Sequence, residues 1–161
     1  MTSVQTSNPL IQGRTARLLN IGVVAQTAAK TVPQNATQTI FTVSGGRVLI
    51  TCLYGLVTTV IGGTTPAAKL VATPATGTAN DMSATLTITS FEVGAVIALA
   101  GPVASALNGQ SKSGSVAGQS VPQIVAPGTI GVNVSAADAT GAIQWTLCYV
   151  PLDRPVAVIA N

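Results

Sequence analysis

The chain contains no histidine, and only 7% of its 161 residues are charged, against about 25% in an average soluble protein. Each shortage closes off a class of function. Proton transfer near neutral pH most often uses imidazole, and none exists here. The acids are only Asp81, Glu92, Asp138 and Asp153, isolated from one another in sequence. If Asp138 and Asp153 met in space they could form a catalytic pair. The simpler expectation is that Asp138 caps the Ala137-Asp138-Ala139 turn and that Asp153 pairs with a base beside it, Arg154. Serine and threonine are abundant, but a hydroxyl nucleophile needs an activating base, and nothing places Lys30, Lys69 or Lys112 beside one. Catalytic residues are therefore expected to be none.

The same shortages bear on ligands. Two cysteines without histidine make no recognisable zinc site, and Asn80-Asp81 is too little for calcium. The Lys112 context, Gly109-Gln110-Ser111-Lys112-Ser113-Gly114, has the wrong order for a phosphate-binding loop. No cofactor and no metal are expected. Aromatics are also scarce, at 3%. Phe41, Tyr54, Phe91, Trp145 and Tyr149 all fall at core-like spacing, so direct nucleic-acid binding, which interleaves bases with aromatics, is not expected. Cys52 and Cys148 sit in apolar runs and read as buried thiols, with their pairing left open.

Membrane spans are not expected either. Val48–Ala68 and Val93–Ser111 lack charge, but Gly62-Gly63, Pro66, Pro102 and Gly109 break them into strands and turns. The apolar stretch Leu18–Ala25 behind Arg14 and Arg17 is too short, and too interrupted by Asn20 and Gly22, for a signal peptide.

What is present is β signal and an uneven charge. Residues 1–80 carry five bases and no acid; residues 81–161 carry two bases and four acids. A basic first half suits docking on an acidic surface. Residues 1–35 are polar and alanine-rich around one apolar patch, Leu18–Val24, and read as an N-terminal arm able to contribute one strand. Residues 36–161 read as a single β domain. Gln38–Ser44 and Arg47–Ile61 flank Gly45-Gly46, a two-residue hairpin signal. In the second run Val48, Ile50, Cys52 and Tyr54 alternate with Leu49, Leu53 and Val57, so both faces of that strand are expected to be covered. Ala67–Ala72, Ser83–Phe91, Val93–Leu99, Gln123–Ala126 and Thr129–Val134 follow as shorter strands. Ala142–Val150 alternates cleanly, with Ile143, Trp145, Leu147 and Tyr149 on one face. Val156–Ala160 supplies an edge strand or tail. Residues 103–122, rich in glycine and serine, form the longest loop and can touch a partner. Eight to ten short strands punctuated by turns predict an all-β fold, an antiparallel β-sandwich or jelly-roll-like domain with an extended N-terminal arm.

Five segments, taken in order, resemble a known group. They are Gln38–Thr51, Leu56–Thr59, Lys69–Pro74, Ala126–Gly131 and Gly141–Asp153, the last ending in Trp145-Thr146-Leu147 and Tyr149-Val150-Pro151-Leu152-Asp153. Together they resemble small virion structural proteins of tailed bacteriophages over residues 36–153. The resemblance implies a β-sandwich capsid decoration or cement protein on the capsid exterior. Its partners would be the major capsid protein and sister copies, commonly as a homotrimer. A tail or fibre-associated receptor-binding module, using the 103–122 loop, is the alternative. For the first reading, Arg14, Arg17, Leu18, Leu19 and Arg47 are the candidate partner-interface residues, with the arginines suited to carboxylates on the partner.

Overall fold

A computed structural model describes residues 21–161. These residues form twelve strands: β1 (Val23–Thr31), β2 (Ala36–Ser44), β3 (Val48–Gly62), β4 (Ala67–Pro74), β5 (Asn80–Asp81), β6 (Leu86–Thr87), β7 (Val96–Ala98), β8 (Asn108–Gly109), β9 (Gln123–Val125), β10 (Gly128–Val134), β11 (Thr140–Pro151) and β12 (Ala157–Ala160). They make two six-stranded antiparallel sheets. Sheet A has the order β1-β11-β3-β7-β8, with β9 also paired to β3; sheet B has the order β12-β2-β10-β4-β5, with β6 also paired to β4. The fold is the expected all-β sandwich.

The core lies between the sheets and follows strand alternation. Sheet A contributes Ile143, Trp145, Leu147 and Tyr149 from β11, and Ile50, Leu53, Val57 and Ile61 from β3. Sheet B answers with Phe41, Val43, Leu70, Ile130, Val132 and Val134. Trp145 is 1% exposed and stands opposite Gly55 in the register of β11 and β3. A Cβ on Gly55 would lie 3.0 Å from two atoms of the indole, so the glycine makes room for the ring.

Three expectations change. First, Gly45-Gly46 does not close a hairpin, because β2 belongs to sheet B and β3 to sheet A. The pair carries the chain across the core. Gly45 has φ 79°, and a Cβ on Gly46 would sit 2.5 Å from the Cβ of Asp153 and 2.8 Å from Val156. Glycine is needed there for close approach of the 153–156 turn, not for strand reversal.

Second, the alternation in β3 slips. The pairing runs Tyr149↔Ile50 and then Cys148↔Cys52, leaving Thr51 as a β-bulge. Val48 and Ile50 point inward before the bulge; Leu53, Gly55, Val57 and Ile61 do so after it. A single inserted residue exchanges the two faces, so Cys52 and Tyr54 part company with Val48 and Ile50.

Third, residues 23–31, assigned to the arm, are an integral edge strand. β1 pairs with β11 from Val23↔Tyr149 to Thr31↔Ala142. Its polar residues are what bind it. The Trp145 N–H donates to Thr27 Oγ at 3.1 Å, Gln144 Nε2 donates to the Thr27 carbonyl at 3.1 Å, and Gln26 Nε2 donates to Thr146 Oγ at 3.0 Å. Ser83–Phe91 also yields less strand than its alternation suggests, only Leu86–Thr87. Ser90, at φ 59°, turns the chain, and Ile88 and Phe91 enter the core from that turn.

Candidate assembly surface

The bulge at Thr51 decides what sheet A presents to the outside. By register, the outer face carries Val24, Gln26 and Ala29 from β1 and Gln144, Thr146 and Cys148 from β11. β3 adds Cys52, Tyr54 and Leu56, and Val96 and Ala98 follow on β7; Val60 lies farther along β3, past two more register irregularities. No charged residue stands on this face of the four strands. Tyr54 and Leu56 are each 37% exposed, Val60 52%, and Val93, in the turn leading to β7, 61%. Among the described residues, the expectation that β3 is covered on both faces holds only for the inner face. Sheet B is different outside. Its register rows present Thr42, Thr129 and Thr73, then Thr37, Asn133 and Lys69, with Lys69 Nζ 2.8 Å from Asp81. The Thr42 row also ends on Ile159 of β12, 57% exposed, but the rest of this face is polar.

The 103–122 loop partly walls the apolar face. Its residues 114–119 rise beside Cys52, Tyr54, Val96 and Ala98 to enclose a cleft of about 330 Å³. Gln119 pins the wall, its Nε2 donating to the carbonyls of Ile50 at 3.1 Å and Val121 at 2.9 Å. Asn108 Nδ2 donates to the Ala117 carbonyl at 3.0 Å.

All four acids are engaged within the chain. Lys69 holds Asp81, and Lys112 lies 3.5 Å from Glu92. Asp138 accepts the Thr64 N–H at 2.9 Å and the Thr64 hydroxyl at 2.8 Å. Asp153 accepts from Arg47 three times: the backbone N–H at 2.8 Å, Nε at 2.9 Å and Nη2 at 2.9 Å. Asp138 and Asp153 thus serve the two ends of β3, beside Thr64 and Arg47, and form no catalytic pair. Asp153 takes Arg47, 106 residues away, rather than its neighbour Arg154. Arg47, the interface candidate that falls within the described residues, therefore has its fork occupied. Arg14, Arg17, Leu18 and Leu19 lie outside the described residues. Among the described residues, Lys30 and Arg154 have no carboxylate partner, and no group of three or more histidine, cysteine, aspartate or glutamate residues gathers.

Hydrogen bonds from the Arg47 side chain, then from its backbone, hold the Asp153 carboxyl far below the usual carboxylate range. The Thr64 N–H, then its hydroxyl, lower Asp138. A carboxyl lowered in the folded state contributes stability that is complete above its unfolded value, about 3.9, and is lost as pH falls through the folded value. Asp153→Asn should therefore lower Tm at pH 7 and narrow its deficit against the parent between about pH 5 and pH 2. Solvent screens the exposed pair, so the shift should be no more than about 4 °C. Thermal melts by circular dichroism at pH 7, 4 and 2 check this; a deficit that stays constant would refute it.

Cys52 and Cys148 are direct register partners on the outer face and are not joined by a disulfide. The Leu53 carbonyl accepts from Leu99 N–H, and Val57 N–H donates to Ala95. Odd-numbered backbone groups of β3 thus address β7, and Cys52 addresses β11. Hydrogen-bonded cross-strand pairs hold their Cβ atoms about 5.5 Å apart, wider than the ~3.8 Å of a disulfide. No helix among the described residues is long and apolar enough to cross a membrane.

What the site offers chemically is burial of uncharged surface. No family model, no curated protein and no solved structure matches this chain.

Proposed function

We propose that the chain is a virion structural protein, a capsid decoration (cement) subunit that binds the head shell of a tailed phage and stabilises it through multimeric contacts. The observation that supports assembly is the uncharged outer face of sheet A, with Leu56, Val60 and Val93 open to solvent; the placement on a phage shell is what the resemblance of residues 36–153 implies. Exposed apolar patches rimmed by polar residues mark interaction surfaces. With 7% charged residues, sister copies have little repulsion to keep them apart. Sister copies, as a homotrimer, cover this face, and the shell supplies the acidic partner surface. Because every acid is engaged inside the chain, Arg14, Arg17 and Arg154 are left to meet carboxylates of the major capsid protein. Each contact is modest; repetition over a lattice multiplies it.

Quantitative mass spectrometry of purified particles tests the placement. Hundreds of copies per particle, lost from the shell when Arg14, Arg17 and Arg154 are changed together to serine, are expected. A handful of copies retained on detached tails would favour the receptor-binding module instead, and no copies at all would reject a virion role.

A further inference from the structure

Among the described residues, Asn108 alone of the asparagines is followed by glycine; Asn35, Asn80 and Asn133 precede Ala36, Asp81 and Val134. Asparagine is thermolabile because the backbone nitrogen of the next residue can attack its side-chain amide carbon. Glycine, without a Cβ, hinders that approach least. Core packing imposes the glycine here: a Cβ on Gly109 would stand 2.9 Å from Leu86 Cδ2 and 3.1 Å from Phe91 Cε2.

Reactivity then depends on whether the Gly109 nitrogen is tied into the sheet. Leu99 N–H donates to the Leu53 carbonyl, and the Ala95 carbonyl accepts from Val57 N–H. The odd-numbered residues along β7 and its flanks therefore address β3. The even-numbered ones face the other way, and Val96 N–H donates to the Ser113 carbonyl at 3.0 Å. Asn108 stands opposite Ala98, and Gly109 opposite Ile97. Bonded and non-bonded pairs alternate along an antiparallel ladder. Asn108 thus exchanges its backbone bonds with Ala98, and the Gly109 N–H points away from β7. It faces the edge of sheet A, where no further strand pairs among the described residues. β8 is only two residues long, so the local opening that brings this nitrogen over the side chain costs little.

We propose that Asn108 is a site of spontaneous deamidation, with water as the sole co-reactant, and that the change releases the wall of the cleft. The Gly109 nitrogen bonds to Asn108 Cγ, its proton leaves with the side-chain nitrogen as ammonia, and a succinimide ring forms. Water opens the ring at either carbonyl, giving aspartate or isoaspartate; nothing is oxidised or reduced. The Asn108 side chain shares the outer face with its register partner Ala98, and its Nδ2 is the donor to the Ala117 carbonyl at 3.0 Å. An ionised carboxylate only accepts, so it repels that carbonyl and residues 114–119 lose one of their ties. The chemistry belongs to one isolated chain and does not rest on the assembly reading.

Ageing the full-length protein in mildly alkaline buffer tests the first half. Peptide mass spectrometry should show Asn108 gaining one mass unit at least about tenfold faster than Asn133, with isoaspartate among the products, because the edge opens more readily than the middle of a sheet. Asn133 is the internal control: it lies on β10, between β2 and β4, and its Nδ2 donates to Thr37 Oγ at 2.9 Å. An Asn108 as durable as Asn133 in the folded chain would overturn the proposal. For the wall, N-ethylmaleimide should label Cys52, which lines the cleft, about fivefold faster in Asn108→Asp than in the parent, the ratio for one lost hydrogen bond. Equal rates would overturn the release. If that variant loses its thermal transition, Asn108→Ala, which removes the same donor without adding a charge, decides by the same comparison.

Discussion

Replacing Trp145 by alanine should remove about 3–5 kcal/mol of stability, the usual cost of emptying a large aromatic site in a core. A domain of this kind has only about 5–15 kcal/mol to lose. The loss corresponds to a fall in Tm of roughly 6–20 °C at about 2–4 °C per kcal/mol. The upper end of the cost is expected because the site cannot collapse easily. The indole spans the gap between sheets, lies against the glycine at position 55 on one side, and reaches toward Gln38, Val132 and Val134 of sheet B on the other. Its backbone N–H is already held by Thr27, so β11 cannot move to fill the space without releasing β1. Because Trp145 is the only tryptophan, unfolding has to be followed by far-ultraviolet circular dichroism in urea. A loss below about 1 kcal/mol with an unchanged slope would show that the ring is not the centre of the core.

The role of Trp145 was legible because β11 is the part of the sequence where local and global demands agree. Alternation over Ala142–Val150 names the inner face, and the structure buries the four residues so named. The same rule failed on β3, where alternation continued on paper through a bulge. Nothing in Ile50-Thr51-Cys52 announces an extra residue, since the bulge is set by the register of β11 opposite and by the contacts of Thr51 to Ile21 and Cys148. Gly45-Gly46 shows a related limit. A glycine pair signals a sharp change of direction, but whether the flanking strands pair or separate depends on where their apolar faces find partners. Phe41 and Val43 look across the core at the side to which Val48 and Ile50 belong, so separation wins.

The candidate surface was less legible than the core. Scarcity of charge pointed to assembly, but the face involved could be named only once the bulge had turned Tyr54 and Leu56 outward together, with Val60 exposed beyond them. Ion pairing was equally hidden. Sequence proximity suggested Arg154 for Asp153, whereas β3 and β11 run antiparallel and bring Arg47, just ahead of β3, to the end of β11. That contact occupies the fork of Arg47 and leaves the basic surplus to Lys30, Arg154 and the positions before Ile21. β1 was legible only as one strand that the arm could contribute, and its extent to Thr31 was hidden for the opposite reason. Its ties to β11 are made by glutamine and threonine side chains, which a search for apolar runs passes over.

The asymmetry between the two outer faces gives the sharpest functional prediction. Leu56→Glu with Val60→Glu should weaken self-association and particle binding at least about 100-fold, because a carboxylate enclosed in an apolar contact without a partner costs several kcal/mol and each 1.4 kcal/mol is tenfold. The fold should survive, since both side chains already face solvent in the isolated chain and surface changes usually stay within about 0.5 kcal/mol. A matched pair on sheet B, Thr42→Glu with Thr129→Glu, separates this from a general effect of added charge. Those threonines are register partners on a face that already carries the Lys69–Asp81 ion pair, so the control should assemble and bind as the parent does. Sedimentation equilibrium reports self-association and co-pelleting with particles reports docking. If both double variants assemble like the parent, the outer face of sheet A is not the contact. If both fail alike, net charge alone governs assembly and the distinction between the faces is void. Loss confined to the Leu56 and Val60 pair is the result that ties function to this face, where the register slip at Thr51 turns Tyr54 and Leu56 outward and the two further slips before Gly62 accompany the exposure of Val60.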